Sequence, residues 1–499
     1  MSSPPTAIPR SAPVAVIGTG TMGAGIAQVA AVAGHRVLLY DAVDGAAGRA
    51  AESIRARVAR LVEKGRIAAP GELRLEVTPD LAGLAPADLV IEAIAEDLAV
   101  KQALFAELEK IVTPGCVLAT NTSSLSPTAI AAGLSHPERL VGLHFFNPAP
   151  LMRLVEVVSG LATDPAVAAA VTGLAESWGK QVVQAAATPG FIVNRVARPF
   201  YAEALRLAEE QAAPPATIDA VLTGAGGFRM GAFALMDLVG QDVNEAVTRS
   251  VWAAFGYDPR FAPSLLQRSM VEAGWLGRKS GRGWYRYDDG TTPPAPPAVP
   301  AAAAPAYVTA TGATPLQPLL ERSSVQVRAG TGEPAGAAGL PGGALLVRCD
   351  GRPAWALAAQ WGRPVVVVDR TLDDSTATSI ALAASEPGPA TEAAGLLQAG
   401  GLAVHAIDDV PGLIVTRTVA MLVNGAVDAR HKGVASAADI DTAMQLGTNY
   451  PLGPLAWGQR WGAGTVLAVL ENLQAVYGED RYRPSALLRR IAAGGGVLI

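Results

Sequence analysis

The sequence predicts an α/β chain in four parts. These are a doubly wound parallel sheet, an all-helical domain, a small α/β unit and a second copy of the helical domain. Three observations lead there. Short apolar runs alternate with helical patterns up to about residue 187, a Pro/Ala-rich stretch breaks the chain at 289–308, and the block around 189–240 recurs near 411–462 at a gap-free offset of 222. The expected divisions are the doubly wound domain at 12–187, a helical domain at 188–288, a linker at 289–308, the small α/β unit at 309–408 and the second helical copy at 409–499.

The first division opens on VAVIG (14–18), a buried-strand run, followed by a small-residue helix over 22–33 and a second strand, RVLLY (36–40). A crossover of this length returns the chain parallel to the first strand. Further strands are expected at 89–91, 116–120 and 140–143. Residues 191–211 carry a long helical pattern. The segment TTPPAPPAVPAAAAPA has too many prolines for a packed element and reads as a linker. Beyond it, strands are expected at 344–349, 365–368 and 403–407; with no glycine triplet after LLVRC, a second nucleotide site is disfavoured there.

In the repeat, Pro189-Gly190, Ile192-Val193, Arg195, Ile218-Asp219, Gly231 and Gly240 find the same residues 222 positions later, whereas Asn194 becomes Thr416 and Glu203 becomes Gly425. The copies therefore differ where chemistry is expected, and catalysis is placed beside the first alone.

Composition narrows the functional classes. A chain of 499 residues, half of them hydrophobic, can bury several cores, and a net charge of −5 offers no field for nucleic acid or an anionic membrane. Cys116 and Cys349 supply neither a disulfide framework nor a four-cysteine zinc site, so a reduced, cytoplasmic setting is expected. The N-terminal segment lacks a signal-peptide core, and no apolar run reaches the length of a membrane span.

VAVIGTGTMGAGIA places Gly18, Gly20 and Gly23 as G-x-G-x-x-G between a strand and a helix, with Thr21 and Met22 opening that helix. In this context the pattern is a Rossmann-type pyrophosphate cradle. Asp41 ends the next strand, where a carboxylate accepts both adenine-ribose hydroxyls and repels a 2′-phosphate, so NAD is expected over NADP; a capping role is the competing reading. Nothing further asks for a flavin. Arg60 and Lys64 share a face of the basic helix after Asp41, either as solvated charge or as a site for the phosphates of a coenzyme A substrate.

LHFFNPAPLMRLVEVVSG carries His144 and, twelve residues on, Glu156. A turn at Asn147-Pro148 can return the carboxylate to the imidazole, fixing its tautomer and raising its basicity, as a base acting on an alcohol requires. A core or capping histidine fits that spacing equally. The five histidines form no HxH or HExxH pair, so no metal is expected.

Taken together, VIGTGTMGAGIA (16–27), IEAIAEDLAVKQALF (91–105), NTSSL (121–125), GLHFFNPAPLMRLVEVV (142–158), TPGFIVNRV (188–196) and GAFALMDLVGQD (231–242) resemble the 3-hydroxyacyl-CoA dehydrogenase family. With the second helical copy, the chain is similar to the long bacterial 3-hydroxyadipyl-CoA and 3-hydroxybutyryl-CoA dehydrogenases of phenylacetate degradation. The resemblance implies His144 as base, Glu156 as its partner, Ser123 and Asn194 on the substrate oxygen, and Glu96 and Lys101 on the nicotinamide side. It implies NAD-dependent oxidation of a (3S)-3-hydroxyacyl-CoA, with 3-hydroxyadipyl-CoA the leading substrate and 3-hydroxybutyryl-CoA the alternative; a silent NAD-binding scaffold is the alternative of another class. Arg153 and Arg198 are weak candidates for a terminal carboxylate. Single-copy members resemble homodimers, so the duplication either covers that face internally or makes a new homo-oligomer surface. Ala232 departs from the family's Gly-Pro pair, which the second copy keeps as Gly453-Pro454.

Overall fold

In a computed structural model, which describes residues 7–287 and 294–499, the chain separates into two compact units. One comprises residues 1–195 with 429–448, the other 196–428 with 449–499. The expected linker residues 289–293 lie outside the described set.

The first unit is built on an eight-stranded sheet. Its strands are β1 (Val14–Ile17), β2 (Val37–Tyr40), β3 (Leu75–Val77), β4 (Leu89–Glu92), β5 (Val117–Thr120), β6 (Leu140–Phe145), β7 (Leu154–Ser159) and β8 (Gln181–Ala186). The order β3-β2-β1-β4-β5-β6-β7-β8 reverses direction beside β1, the crevice where doubly wound sheets bind nucleotides. Continuous apolar runs such as VAVI and VLL are buried on both faces, as strands covered by helices on either side must be. β6 and β7 pair antiparallel, setting His144 opposite Glu156. The sequence reading named neither β7 nor β8 as a strand.

The second unit holds a seven-stranded sheet of β9 (Tyr307–Ala310), β10 (Gln326–Ala329), β11 (Ala337–Gly339), β12 (Leu345–Arg348), β13 (Val365–Val368), β14 (Ser379–Ala384) and β15 (Ala403–Ala406), in the order β10-β9-β11-β12-β13-β14-β15. Its last four strands repeat the parallel, antiparallel, parallel pairing of β5 to β8. The proline-rich segment forms no helix or strand among its described residues, but it does pack. Val299 N–H donates to Val404 O at 2.8 Å, and Gln398 bonds the backbone at Val299, Pro300 and Ala302.

The duplication extends to backbone geometry. Gly190 and Phe191 take φ of 72° and 46° where Gly412 and Leu413 take 76° and 48°. A left-handed bulky residue is unusual, and finding it twice at one offset marks a shared turn into the helix. The long helical pattern at 191–211 is interrupted here into Val193–Val196 and Arg198–Glu209, with Pro199 in the first turn of the second helix. Glu203, which the sequence placed among residues unequal for chemistry, is instead buried structural charge: its carboxylate meets Arg417 Nε at 3.0 Å and Tyr482 Oη at 3.0 Å.

Candidate active site

The glycine loop fits a dinucleotide. Gly18 turns at φ 83°, a Cβ on Gly20 would meet no atom within 4 Å, and one on Gly23 would lie 1.7 Å from Gly18 O. Thus Gly20 faces open space while Gly23 lets the helix Thr21–Val32 start against the loop. That helix has no side-chain cap, which leaves its first N–H groups for a pyrophosphate. Asp41 Oδ2 accepts from Thr19 N and Oγ1 at 2.6 and 2.8 Å, and Oδ1 accepts from Val43 N at 2.9 Å. Burial opposes ionisation of Asp41, but these bonds and Arg49 outweigh it and hold its pKa below the usual range. A charged carboxylate therefore stands at the end of β2.

His144, near the end of β6, is buried with its ring between Phe146 and Phe191, at centroid distances of 4.5 and 5.8 Å. Its Nδ1 lies 2.7 Å from Glu156 Oε2. The other carboxylate oxygen, Oε1, accepts from Ile192 N and Val193 N at 3.1 and 3.0 Å. Glu156 thus caps the first turn of the helical segment while orienting the imidazole. A carboxylate only accepts, so Nδ1 carries the proton and Nε2 remains the basic nitrogen.

Ser123 stands half-buried in the NTSSL loop after β5, and Asn194 Nδ2 donates to its carbonyl at 3.4 Å. This gathers Ser123, His144, Glu156 and Asn194 within one unit. Asn121 Oδ1 accepts from Phe145 N at 2.8 Å and ties the loop to the histidine strand.

Glu96 and Lys101 form the back of that loop. Glu96 Oε1 accepts from Thr122 Oγ1, Ser123 N and Ser124 N at 2.5, 3.0 and 3.0 Å. Its burial is outweighed by the Thr122 hydroxyl, the Lys101 charge and the Ser124 and Ser123 bonds, which together lower its pKa. Lys101 is almost fully buried, pairs with Glu92, and lies 3.4 Å from Glu96 Oε2. Lys101 is therefore no surface charge, and Glu96, though exposed, is bound into the loop by these bonds. Glu92 also takes Thr120 Oγ1 at 2.7 Å, and the sequence reading passed over it although an acid at the end of an apolar strand was a signal.

Arg60 and Lys64 are exposed at the end of the helix Ala46–Glu63. Beside that end lies a cavity of about 540 Å³ lined by Val29, Leu61, Arg66, Ile67, Trp178 and Lys180 among others, so its cations are Arg66 and Lys180 rather than the expected pair. Arg198 is no carboxylate receptor of an open surface: it is buried, bonds Thr248 Oγ1 at 3.1 Å and lies over the Tyr201 ring. Arg153 is exposed.

Among the described residues the second unit has no corresponding pair. Val183, opposite Glu156, shifts by 222 to His405, which pairs with Ala381. Across the antiparallel ladder, Asp369 N–H donates to Ala381 O at 3.0 Å. Asp369 thus holds the strand position of His144, Ala381 that of Glu156 and Thr416 that of Asn194. Among the described residues no cluster of His, Cys, Asp or Glu has the arrangement of a metal site.

The model of the 3-hydroxyacyl-CoA dehydrogenase NAD binding domain matches residues 13–188, and that of the family's C-terminal domain matches twice, at 190–287 and 412–497. A model of the 3-hydroxybutyryl-CoA dehydrogenase reduced Rossmann-fold domain matches 346–411. The chain is 50% identical over 484 residues to the 3-hydroxyadipyl-CoA dehydrogenase of Escherichia coli K12, covering 96% of this chain and 97% of that one. It is 41% identical to a probable 3-hydroxybutyryl-CoA dehydrogenase of Bacillus subtilis, over 56% of this chain and 98% of the relative. A crystal structure of an Escherichia coli K12 3-hydroxybutyryl-CoA dehydrogenase superposes with a TM-score of 0.88 at 48% identity, covering 97% and 99% of the two chains. The chain belongs to the 3-hydroxyacyl-CoA dehydrogenase family and is an NAD-dependent dehydrogenase of that family.

Proposed function

We propose that the protein oxidises (3S)-3-hydroxyadipyl-CoA to 3-oxoadipyl-CoA, with His144 as the base. The observation that carries the reaction is the buried His144–Glu156 pair, on a strand that Asn121 ties to the loop of Ser123. NAD, when bound, supplies the hydride acceptor. His144 Nε2 takes the 3-hydroxyl proton, and Glu156 stabilises the imidazolium that forms. Ser123 and Asn194 hold the substrate oxygen and limit its rotation, which contributes orientation and charge stabilisation. Gly18 to Gly23 and Asp41 hold the dinucleotide, and Glu96 and Lys101 fix the loop at its nicotinamide side. The exposed Arg60 and Lys64, with Arg66 in the neighbouring cavity, are the cations available to the coenzyme A phosphates.

The adipyl assignment rests on the near full-length likeness to the Escherichia coli enzyme of that name. The competing substrate, 3-hydroxybutyryl-CoA, is favoured by the name of the superposed crystal structure. Steady-state rates with C4, C6 and six-carbon dicarboxylyl 3-hydroxyacyl-CoA separate them: the dicarboxylyl thioester is expected to give the highest kcat/KM, and a preference for unsubstituted C4 replaces the assignment. NAD is expected to serve far better than NADP, and D41A to narrow the gap by weakening NAD; equal efficiency with both in the unmodified protein removes the ribose role of Asp41. A cytoplasmic setting accords with two free, buried thiols, whose pKa values desolvation raises to about 12. No helix among the described residues is long and apolar enough to cross a membrane.

A further inference from the structure

The two helical copies exchange their second helices. Shifted by 222, the helix Pro215–Gly224 becomes the start of Ala437–Thr448. Pro215–Gly224, from the copy that follows the first sheet, packs on β14 of the second sheet within the second unit. Thr378 N donates to Gly224 O, Leu372 N to Ala225 O and Ser379 Oγ to Ala220 O, at 2.9, 2.8 and 3.0 Å. Conversely, Ala437–Thr448 belongs to the first unit and packs on β7 and β8, where Ala186 N donates to Val434 O at 2.8 Å.

The exchanged helix meets the strand that holds Glu156. Along β7, Val155 and Val157 join the main core of the first sheet, so Leu154, Glu156 and Val158 point to the other face. Gly447 is seated there. A Cβ on it would come within 2.9 Å of Leu154 Cδ2 and 3.0 Å of Val193 Cγ2. Leu154 is two residues from Glu156 on the same face, and Val193 supplies one of the two N–H groups on Glu156 Oε1. In the second half Gly447 corresponds to Ala225, and Leu154, by strand register, to Ser379. Both halves nevertheless seat a glycine of the exchanged helix on this strand position, since a Cβ on Gly224 would come within 2.3 Å of Ser379 Oγ; in the half that has the histidine the strand residue it meets is the bulkier Leu154.

We infer that Ala437–Thr448, through Gly447, is a positioning element for the His144–Glu156 pair. The second helical copy then serves the reaction by lending this helix, with no site of its own. A side chain at 447 pushes on Leu154 and Val193 together and displaces the carboxylate from Nδ1, lowering the basicity of His144. This rests on the proposed role of the pair and is independent of the acyl chain oxidised.

The test uses the full-length enzyme and its best 3-hydroxyacyl-CoA substrate. G447A is expected to lower kcat several-fold and G447V about 10²-fold, the scale of a misplacement near 1 Å, with KM and NAD affinity little changed. The acid limb of the kcat/KM profile moves to lower pH, because the imidazole loses its carboxylate. In G447A, the further change L154A makes room and restores kcat even as it lowers stability. A merely structural role gives the opposite: thermal stability falls, while kcat per folded molecule and the acid limb stay put. That result in G447A, or a kcat loss that L154A leaves unrepaired, overturns the inference. Should G447A not fold, V193A thins the same contact without adding bulk, and an unchanged acid limb there also overturns it. H144Q serves as the control: retained turnover in H144Q refutes the pair itself rather than its buttress.

Discussion

The two sheets of this chain face the same structural problem and solve it with different residues. Each must present an acceptor to the unpaired N–H groups where a helical copy begins. In the first half Glu156 does so with one oxygen and spends the other on His144. In the second half Asp369, at the histidine's strand position, reaches the turn directly. It accepts from Ile414 N, Val415 N, Thr416 N and Thr416 Oγ1 at 3.0, 2.7, 2.9 and 2.7 Å. Burial dominates there and raises the Asp369 pKa despite those bonds. The cap is what the fold requires, and the imidazole is what chemistry adds.

The largest expected effect divides the halves outright. H144Q should lower turnover by roughly 10²- to 10⁴-fold, the contribution of a positioned proton acceptor, with NAD affinity preserved. E156Q should also be slower, and the double variant should fall short of the product of the two losses because both disable one unit. Fully multiplicative losses in kcat/KM would separate Glu156 from His144. D369N should leave turnover per folded molecule intact while costing about 1–3 kcal/mol of stability in denaturant, since a buried cap is weakened without touching the reaction. A large kcat loss in D369N would mean that the second half takes part in chemistry after all.

The next effect concerns the bond between the copies. Arg417 is fully buried, with its guanidinium on Glu203, Glu210 and the Tyr477 and Tyr482 hydroxyls. Glu203 exists in only one copy, because its counterpart is Gly425. E203A leaves the buried guanidinium with Glu210 as its remaining carboxylate partner, so it should destabilise the protein, by less than the about 3–5 kcal/mol that a wholly unpaired buried charge costs. The double variant E203M/R417M should recover much of that. A loss in E203A that the double change does not reduce would show that packing, rather than charge, sets the penalty.

Much of this comparison was legible beforehand, for reasons that differ by element. The glycine loop, β1 and β2 were readable because a tight turn and two-sided burial each demand a residue type. The repeat was readable because its turn needs glycine and because Asp219, which accepts from Phe233 N and Ala234 N, recurs as Asp441. β7 and β8 were missed since Glu156, Gln181 and Gln184 interrupt their apolar runs, and only the antiparallel register with β6 explains a buried acid there. The Glu92–Lys101 pair was missed as a buried element because charge reads as surface until a partner is seen. The helix exchange leaves no sequence mark, since pairing between segments so far apart in the chain, such as Gly224 with Thr378 and Ala186 with Val434, is a matter of topology.

The smallest expected effect lies at the turn between the histidine and its partner. Lys180 is largely buried, and its Nζ donates to Ala149 O and Met152 O at 2.5 and 2.8 Å, clamping the connection from β6 to β7. Its counterpart is Leu402, and the second half clamps the matching connection instead with Arg322, whose Nη1 donates to Asp374 O and Ala377 O at 2.8 and 2.9 Å. The difference is testable because lysine titrates in reach and arginine does not. Burial lowers the Lys180 pKa to about 8. Below that pH both folded and unfolded chains carry the proton; between about 8 and 10.5 the unfolded chain binds it more tightly, so this residue makes stability rise with pH across that window. K180M should therefore lose stability near pH 7 through two unpaired carbonyls, and should also lose the alkaline gain, roughly 2–3 kcal/mol by pH 10. R322M should be destabilised without altering the slope. The measurement is the difference in unfolding free energy between each variant and the parent at pH 7, 8, 9 and 10, which cancels the other groups that titrate in that range. Parallel curves for K180M and the parent would show that Lys180 keeps an ordinary pKa and that its clamp is no more sensitive to pH than that of Arg322.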